Sequence, residues 1–423
     1  MIKYLKKNSH LSIIFLIPFL ISGPFLSDLL VSLSAIIFLI LVINNKEYSY
    51  FNKKPIIIFF IFCAYCIFVS IFYAENILLS FESSLFYFRI GIFACLIWYT
   101  INKDKKILDY FYYALILCFF ILALDGYLQF FTGKNILGYY IFENNRISSF
   151  FGDELILGSY LSRLYPLLLA LFFIKSFNKF ELSYLTIFFL SISILIYISG
   201  ERTSFSNHIM SLFLILTLTK KYFKFKILLA ISFILILSSF IMSDNPINKR
   251  MLKDPLQSMR LLDSQEKKYI FSSTHDSLIR TAYNMFKDQP LFGHGPKMFR
   301  ILCKKEKYAV GEVPCMTHPH NFYIQLLAET GIIGFLFLFS AFLYVFYCYL
   351  KHLKSILFKQ KRYLNDYQVC LLAGILITLW PIAPNGNFFN NWLAICYSLP
   401  VGFYLNSIYG NKEKILDIKF NKN

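Results

Sequence analysis

The sequence predicts an all-α protein that crosses a membrane about twelve times. Hydrophobic residues make up 57% of the 423 residues and charged residues only 16%, whereas soluble domains contain about 45–50% apolar and about 25% charged residues. The apolar residues fall in blocks of roughly 20 residues, the length with which an α-helix crosses a bilayer. An aromatic content of 19% excludes a disordered chain, because such chains are poor in aromatic residues.

Twelve apolar blocks, a few of them short, follow one another along the chain. They lie at 10–23, 26–43, 55–73, 84–101, 107–126, 154–174, 182–199, 205–219, 225–242, 319–349, 367–384 and 389–408. The first block follows three lysines, as in a signal peptide, but no small-residue cleavage site follows it, so we expect a retained helix. The expected organisation is helices 1–9 in 1–242, a loop at 243–317, helices 10–12 in 318–408 and a short tail at 409–423.

The distribution of positive charge predicts the orientation of the chain. With the N-terminus in the cytoplasm, the seven inner segments carry 24 Lys and Arg, and the four short outer loops carry only Lys134, Arg146 and Arg202. Inner loops of membrane proteins are enriched in Lys and Arg, so both termini are expected in the cytoplasm. The long loop carries 13 Lys and Arg, but long loops cross the membrane largely regardless of charge. The same rule explains the net charge of +18 without a nucleic-acid partner.

The long outer loop contains a predicted helix and two isolated cysteines. Apolar residues recur at helical spacing over 274–288, with Thr274 as a candidate N-cap and Pro290 after the end. Seven of the nine cysteines lie in or beside apolar blocks, where they act as packing residues. Cys303 and Cys315 are isolated in the loop, so a disulfide is expected if that side is oxidising. No cysteine spacing indicates a zinc site.

Four charged residues need either a partner or a ligand. Arg202 lies in a tight outer turn, where it either reaches the interface as a snorkelling side chain or binds a substrate. Arg280 follows Asp276 by four residues, so it forms an exposed ion pair or contacts a ligand.

Arg163 and Glu329 lie inside apolar blocks, where a charge is costly unless it is paired or faces water. They either pair with each other or line a substrate cavity. The sequence assigns no role to Arg89, Arg146 or Asp125.

Two histidines flank a proline at the outer end of the tenth block. His318 and His320 precede Asn321 there, and histidine is the commonest side chain for moving protons near neutral pH. A general base and a hydrogen-bonded interfacial pair are both consistent with this position. A metal site is not expected, because no Asp or Glu at suitable spacing completes the ligand set. Hydrolase, zinc-protease and ATPase motifs are absent from the sequence.

Five short segments share the pattern of one known family. The most specific is His320-Asn321, nine residues, then Gly331-Ile332-Ile333-Gly334, which fits H-[NSQ]-x9-G-x-x-[GTY]. The others are the Ser-Gly-x-Arg-[ST] turn at 199–203, the turn at 290–296 and the segments 150–153 and 158–161. In these segments, and in its layout of spans and one large outer loop, the chain resembles the O-antigen ligase and O-antigen polymerase superfamily of bacterial envelope enzymes. Residue 294 is histidine where a small or apolar residue is expected.

The resemblance implies a metal-independent, cofactor-free glycosyltransferase of the GT-C type in the inner membrane, active at the periplasmic face in lipopolysaccharide biosynthesis. It implies a donor glycan on undecaprenyl diphosphate and an acceptor hydroxyl on another glycan. By motif, His320 would be the base, and Arg202 and Arg280 would hold the diphosphate. Arg163, His318 and Glu329 are the further candidates for substrate contacts. One displacement with a general base would invert the anomeric carbon.

Several activities are compatible with this resemblance. A ligase transfers the glycan to lipid A–core and is favoured here, because the His-Asn-x9-Gly-x-x-Gly segment fits it best. A polymerase instead joins lipid-linked repeat units. A protein-glycosylating transferase usually carries a longer C-terminal region. A lipid-linked glycan flippase is the non-enzymatic alternative, and it would show internal repeats, which this sequence lacks.

Overall fold

The computed structural model describes residues 2–142, 145–260 and 268–410, with side chains from residue 10 onward. These residues are helical, apart from connections and two isolated β-bridges in the 133–156 connection. The helices of eight or more residues in the described ranges are α1 (Ile2–Phe19), α2 (Pro24–Asn45), α3 (Lys54–Phe72), α4 (Ile77–Ser84), α5 (Phe88–Lys103), α6 (Lys106–Thr132), α7 (Leu157–Ile174), α8 (Lys179–Ile198), α9 (Arg202–Leu218), α10 (Phe223–Met242), α11 (Ser273–Asp288), α12 (Phe322–Leu357), α13 (Asp366–Leu379) and α14 (Asn391–Tyr409).

Each predicted apolar block coincides with one of these helices, so the all-α, polytopic membrane class is confirmed. Eight spans in the described part of the chain are long and apolar enough to cross a membrane, one of them formed by α4 and α5 together. The number twelve stays a prediction. Helix α13, for example, has 14 residues and is about 21 Å long at 1.5 Å per residue, shorter than the ~30 Å hydrocarbon core.

The connections between helices gather at two ends of the bundle. One end, called the loop end here, carries the connections 20–23, 73–87, 133–156, 199–201, 243–321 and 380–390. Hydrogen bonds tie these connections to one another: Arg250 Nε donates to the Gly200 carbonyl over 2.8 Å, and Asn385 N donates to the His320 carbonyl over 2.8 Å. The opposite end carries the connections 46–53, 104–105, 175–178, 219–222 and 358–365.

Helix α7 lies at the centre of the bundle, packed against α6, α8, α9, α13 and α14. Nearly all of its side chains are buried, including Arg163. Helices α2 and α10 are peripheral and expose large apolar side chains such as Ile43 and Ile234. Large apolar side chains on the exterior are expected of a chain that faces lipid, whereas a buried charge such as Arg163 needs polar partners inside the bundle.

The longest helix, α12, is interrupted at Gly331, which has φ +63° and ψ −169°. The turn at 290–295 fills the interruption. His294 N donates to the Ala328 carbonyl over 3.1 Å, Gly295 N donates to the Glu329 carbonyl over 2.7 Å, and Ile332 N donates to the Pro290 carbonyl over 2.9 Å. The turn therefore satisfies backbone groups that the interruption would otherwise leave without partners.

Two glycines permit this close backbone contact. A Cβ atom on Gly331 would lie 2.2 Å from the Leu291 carbonyl oxygen, and one on Gly293 would lie 2.5 Å from the Glu329 carbonyl carbon. Both glycines have positive φ, at +63° and +67°. The turn at 290–296 and the Gly-x-x-Gly segment, which are separate patterns in the sequence, therefore form one structural unit.

We expect Gly331→Ala and Gly293→Ala to destabilise the protein strongly, because each adds a steric clash with backbone to the strain of a left-handed residue. The matched control is Gly133→Ala, which has φ +83° but no atom within 4 Å of its Cβ position. Thermal unfolding in detergent should show a clearly larger loss for the first two variants. Equal losses in all three would mean that strain alone matters and that the contact with the turn does not.

Candidate functional site

Three histidine rings meet at the loop end immediately before α12. The His320 ring centroid lies 4.2 Å from that of His318 and 5.7 Å from that of His275 on α11. His320 has φ +56°, a conformation that few residues other than glycine adopt. Sequence analysis identified His318 and His320 but not His275, which lies more than 40 residues earlier on a different helix. We call these three residues the histidine cluster.

Asn321 holds the histidine cluster against the 380–390 connection. As the N-cap of α12, its side-chain oxygen accepts hydrogen bonds from Tyr323 N over 3.0 Å and Ile324 N over 3.1 Å. Its amide nitrogen donates to the Pro381 carbonyl over 2.7 Å. An asparagine N-cap that also has a tertiary partner fixes where the helix begins. This is a physical reason for the His-Asn pair in the family pattern.

Burial keeps the imidazoles of this cluster uncharged near neutral pH. Burial lowers the pKa of His320, against a hydrogen bond between its ring and the Asn385 backbone that raises it. Burial, and secondly the charge of His320, lowers the pKa of His318 to about 3. Both rings can therefore accept a proton, but His318 is the much weaker base. Its Nδ1 is also hydrogen-bonded to Thr317 Oγ1 over 2.9 Å.

Three guanidinium groups surround the 199–201 turn. Arg202 Nε donates to the Arg250 carbonyl over 2.9 Å, and Arg250 Nε donates to the Gly200 carbonyl over 2.8 Å. A Cβ on Gly200 would lie 3.2 Å from Arg250 Cδ and 3.3 Å from Arg146 Cγ, so all three side chains converge on this turn. We call Arg146, Arg202 and Arg250 the arginine cluster.

The arginines of this cluster repel one another. Burial, followed by the charges of Arg146 and Arg202, lowers the pKa of Arg250 to about 10. Burial also lowers the pKa of Arg146. Arg250 and Arg146 nevertheless remain protonated at pH 7. The carboxylates beside the cluster are Asp254, 3.5 Å from Arg202, and the half-buried Glu201. An excess of partly buried cations of this kind is typical of an anion-binding site.

Glu201 holds the turn against the first residues of α7. Its two carboxylate oxygens accept hydrogen bonds from Gly158 N over 2.6 Å and Ser159 N over 3.0 Å, and Ser204 Oγ donates over 2.9 Å. Burial raises the pKa of Glu201, whereas Arg146 and these hydrogen bonds lower it. A carboxylate at a helix N-terminus satisfies amide groups that the helix leaves unpaired.

Arg163 connects the arginine side of the site to the histidine side. Its Nε donates to Ser159 Oγ over 3.1 Å, its Nη1 to Thr378 Oγ1 over 3.3 Å and its Nη2 to Asn385 Oδ1 over 3.4 Å. The expected alternative of an Arg163–Glu329 ion pair is therefore wrong. Together with the bonds from Ser159 N to Glu201 and from Asn385 N to the His320 carbonyl, these contacts form a polar chain from the 199–201 turn, where the arginine cluster lies, to the main chain of His320.

Glu329 is fully buried on α12. Its carboxylate accepts hydrogen bonds from Gln325 Nε2 over 3.0 Å and from Phe299 N over 3.2 Å. Gln325 Nε2 also donates to Asn387 Oδ1 over 2.9 Å. Glu329 thus links three segments of the loop end. Because both carboxylate oxygens have protein donors, a bracing role is better supported by this geometry than direct contact with substrate.

Asn385 and Asn387 were missed by sequence reasoning, because an asparagine between two spans looks like an ordinary turn residue. The available signal was an unusual density of asparagine, with four between 385 and 391. Arg250 was missed because it is one of 13 basic residues in the long loop. Arg146 was already conspicuous as one of three cations in the short outer loops.

Arg280 lies on α11, one turn after Asp276, and forms an exposed ion pair with it over 3.4 Å. The structure therefore does not join it to the arginine cluster. The N-cap of α11 is Ser272, whose side chain accepts a hydrogen bond from His275 N, and not Thr274 as expected. Helix α11 packs on α12 and brings His275 to His320.

Cys303 and Cys315 are joined in a disulfide, with their Cα atoms 5.0 Å apart. The bridge closes the segment that leads to the histidine cluster. Arg89 and Asp125, to which the sequence assigned no role, have protein partners. Arg89 pairs with Asp28, and Asp125 on α6 accepts hydrogen bonds from the 133–156 connection. In the described ranges, no group of three or more His, Cys, Asp and Glu side chains is arranged to hold a metal ion.

Comparison with known families gives one match. A family model described as O-antigen ligase matches residues 186–339. The matched segment runs from within α8 to within α12, so it contains Arg202, Arg250, Arg280 and the histidine cluster. No curated protein matches the chain.

We expect the Cys303–Cys315 disulfide in the protein isolated from membranes. Denatured protein is alkylated with one reagent, then reduced and alkylated with a second. The second reagent should label these two residues alone, and the first should label the seven other cysteines. Closing a loop of a dozen residues contributes about 2–3 kcal/mol in the loop-entropy model, so reduction should also lower the unfolding temperature. Labelling of both Cys303 and Cys315 by the first reagent would contradict the pairing.

Proposed function

We propose that the chain is a glycosyltransferase that moves a glycan from undecaprenyl diphosphate to lipid A–core, since a family model described as O-antigen ligase matches residues 186–339. The supporting observation is the polar chain between a cluster of three arginines and a cluster of neutral histidines at one end of a membrane protein. The first cluster suits a diphosphate leaving group, and the second suits an acceptor hydroxyl that must lose its proton.

The arginine cluster matches the charge that develops on the leaving group. When the bond between the anomeric carbon and the diphosphate oxygen breaks, its electron pair stays on the diphosphate. Fixed cations at that point stabilise the transition state. Guanidinium groups hold phosphate oxygens in pairs and keep their charge at all relevant pH values. In the proposal, Arg202 is the direct ligand, since its side chain is the most exposed of the three, and Arg146 and Arg250 support it. Arg280 lies outside this cluster, in an exposed pair with Asp276, and in the proposal it leaves that pair to contact the diphosphate when the donor binds.

His320 is proposed as the general base. Its neutral ring takes the proton from the acceptor hydroxyl while the acceptor oxygen bonds to the anomeric carbon. Base catalysis of this kind contributes roughly 10²–10⁴-fold to the rate. A single displacement inverts the anomeric carbon. The alternative base, His318, has a pKa too low for efficient proton transfer at neutral pH and is proposed as a contact of the acceptor. Arg163 is proposed to orient His320 through Asn385.

An apolar cavity supports a lipid-linked donor. It has a volume of about 320 Å³ and lies between α1, α6 and the 133–156 connection, lined by Pro18, Ile21, Ser22, Cys118, Ile121 and Phe150. Phe150 belongs to the same connection as Arg146. The 133–156 connection therefore carries a cation, Arg146, that suits an anionic headgroup, and it borders an apolar cavity that suits an isoprenoid tail.

The charge pattern supports an inner-membrane location, with the loop end facing the periplasm and both termini in the cytoplasm. Lipid-linked glycans and lipid A–core would both reach the site from that leaflet of the membrane.

The direct test is transfer by purified protein with a lipid-linked glycan donor and two acceptors, lipid A–core and a second lipid-linked repeat unit. The proposal predicts a glycosylated lipid A–core. Exclusive formation of longer lipid-linked chains would instead identify a polymerase. If neither product forms while the donor crosses the bilayer of a proteoliposome, the protein is a flippase and the transferase proposal fails.

Single substitutions should distinguish the role of the arginine cluster in donor binding from the role of the histidine cluster in turnover. His320→Ala should lose at least about 100-fold in turnover and still bind donor, because only the proton acceptor is removed. Arg202→Ala and Arg280→Ala should lose turnover and donor affinity together, because the diphosphate is charged in both ground and transition states. Arg202→Lys should rescue poorly, because the paired geometry is lost. His318→Ala should be tolerated better than His320→Ala.

The control for these variants is Lys253→Ala, which removes an exposed cation close to Arg250 in the same loop. It should keep near-normal activity at matched expression. If the His320→Ala protein has normal turnover and the His318→Ala protein is inactive, the base is His318 and not His320. If neither substitution matters, the general-base mechanism is wrong.

The pH profile tests the base independently. Burial lowers the pKa of His320, so its neutral, active form persists below the usual histidine pKa of about 6.5. We expect kcat/KM to be flat near neutral pH and to fall only below about pH 6.5 as His320 becomes protonated. In His320→Ala, the small residual rate should lack this acid limb. An acid limb above pH 6.5 would contradict the assignment.

A further inference from the structure

We propose that a polar cavity at the opposite end of the bundle binds the phosphate of an anionic phospholipid headgroup. The cavity has a volume of about 290 Å³ and lies between the 46–53 connection, the end of α5 and the end of α14. It is remote from the arginine and histidine clusters, which lie at the loop end. The inference therefore does not depend on the proposed glycosyl transfer.

The cavity is built on three aromatic rings that pack edge-on or tilted against one another. The Trp98 ring lies 4.6 Å from that of Tyr50 and 5.6 Å from that of Tyr409, and Trp98 is almost fully buried. These rings come from three separate segments of the chain. The site is thus formed by tertiary packing and is more than a row of surface lysines.

Two lysines give the cavity a positive charge. Lys103 Nζ lies 2.7 Å from the Glu47 carboxylate, which neutralises it in part. Lys53 Nζ lies 5.3 Å from the centre of the Tyr409 ring, and no carboxylate of the described residues is within ion-pair distance of it. Asn102 and the Tyr50 hydroxyl, 3.3 Å apart, add neutral hydrogen-bonding groups. Two cations with one carboxylate favour an anion.

The first turn of α3 also favours an anion in this cavity. Lys53 is the N-cap of α3, a helix of 19 residues, and no side chain caps this end. The N-terminus of a helix carries partial positive charge and attracts phosphate. The lysine charge and the helix end therefore act on the same side of the cavity.

The surroundings of the cavity favour a lipid over a soluble phosphate. Ile57 and Ile61 follow Lys53 by four and eight residues, so they lie on the same face of α3. Their side chains are 44% and 52% exposed. A phosphate in the cavity would have a strip of apolar surface running from it along the helix, which suits an acyl chain. Basic pockets between membrane helices are a known mode of recognising acidic lipid headgroups.

The test is native mass spectrometry of the delipidated protein with phosphatidylglycerol or phosphatidylcholine added. We expect tighter binding of phosphatidylglycerol and a loss of about tenfold in Lys53→Gln. A tenfold loss corresponds to about 1.4 kcal/mol. The matched control is Lys54→Gln, which removes the same charge from the neighbouring, exposed residue that does not line the cavity. It should change the affinity less than about twofold.

A second measurement distinguishes a lipid from a free phosphate. Of the three tryptophans, Trp380 and Trp392 lie at the loop end, so substituting both with Phe leaves Trp98 as a reporter in the cavity. Fluorescence should change with phosphatidylglycerol and not with glycerol phosphate. A response to both, abolished by Lys53→Gln, would still identify a phosphate site, open to soluble esters as well. Equal binding of both lipids, or equal losses in Lys53→Gln and Lys54→Gln, would overturn the proposal.

Discussion

The loop end depends on the backbone contact between the interruption of α12 and the turn at 290–295. A membrane helix that opens at Gly331 exposes amide and carbonyl groups where there is little water to satisfy them. The turn supplies the missing partners over 2.7–3.1 Å. Because the same turn leads into the segment that carries Phe299 and the disulfide, the position of the histidine cluster follows from this contact. Tyr65 of α3 strengthens it with a hydrogen bond of 2.7 Å to the Thr330 carbonyl.

The class of fold and the position of most spans could be predicted from the sequence, because hydrophobic length and loop charge are local properties. His320 and Arg202 were also found, since a short motif and an unusual cation mark them. The arrangement between segments could not be found. Nothing local shows that Arg163 contacts Asn385 and not Glu329, or that Arg250 joins Arg202 across 48 residues. The interruption at Gly331 was missed because apolar residues resume directly after Glu329, Thr330 and Gly331, so the block 319–349 has the pattern of one continuous helix.

The two halves of the candidate site rest on different physics. The arginine cluster is held by main-chain carbonyls and by the Glu201 carboxylate, so its geometry is stiff while its three cations outnumber the two carboxylates beside them. The histidine cluster is held by a helix cap and by ring packing, and burial keeps its members neutral. A region with an excess of positive charge at the same end as an uncharged base lets one site attract an anion and still accept a proton. Arg163, with hydrogen bonds to three segments, keeps the two regions at a constant separation.

The left-handed backbone of His320 implies a trade-off between stability and function. A non-glycine residue in this conformation costs of the order of 1 kcal/mol, and here the Asn321 cap and the bond from Asn385 N sustain it. Glycine at this position would relieve the strain and remove the imidazole. Selection for stability alone would therefore act against histidine at residue 320, and engineering for thermostability should leave this position unchanged even where its energetics favour replacement.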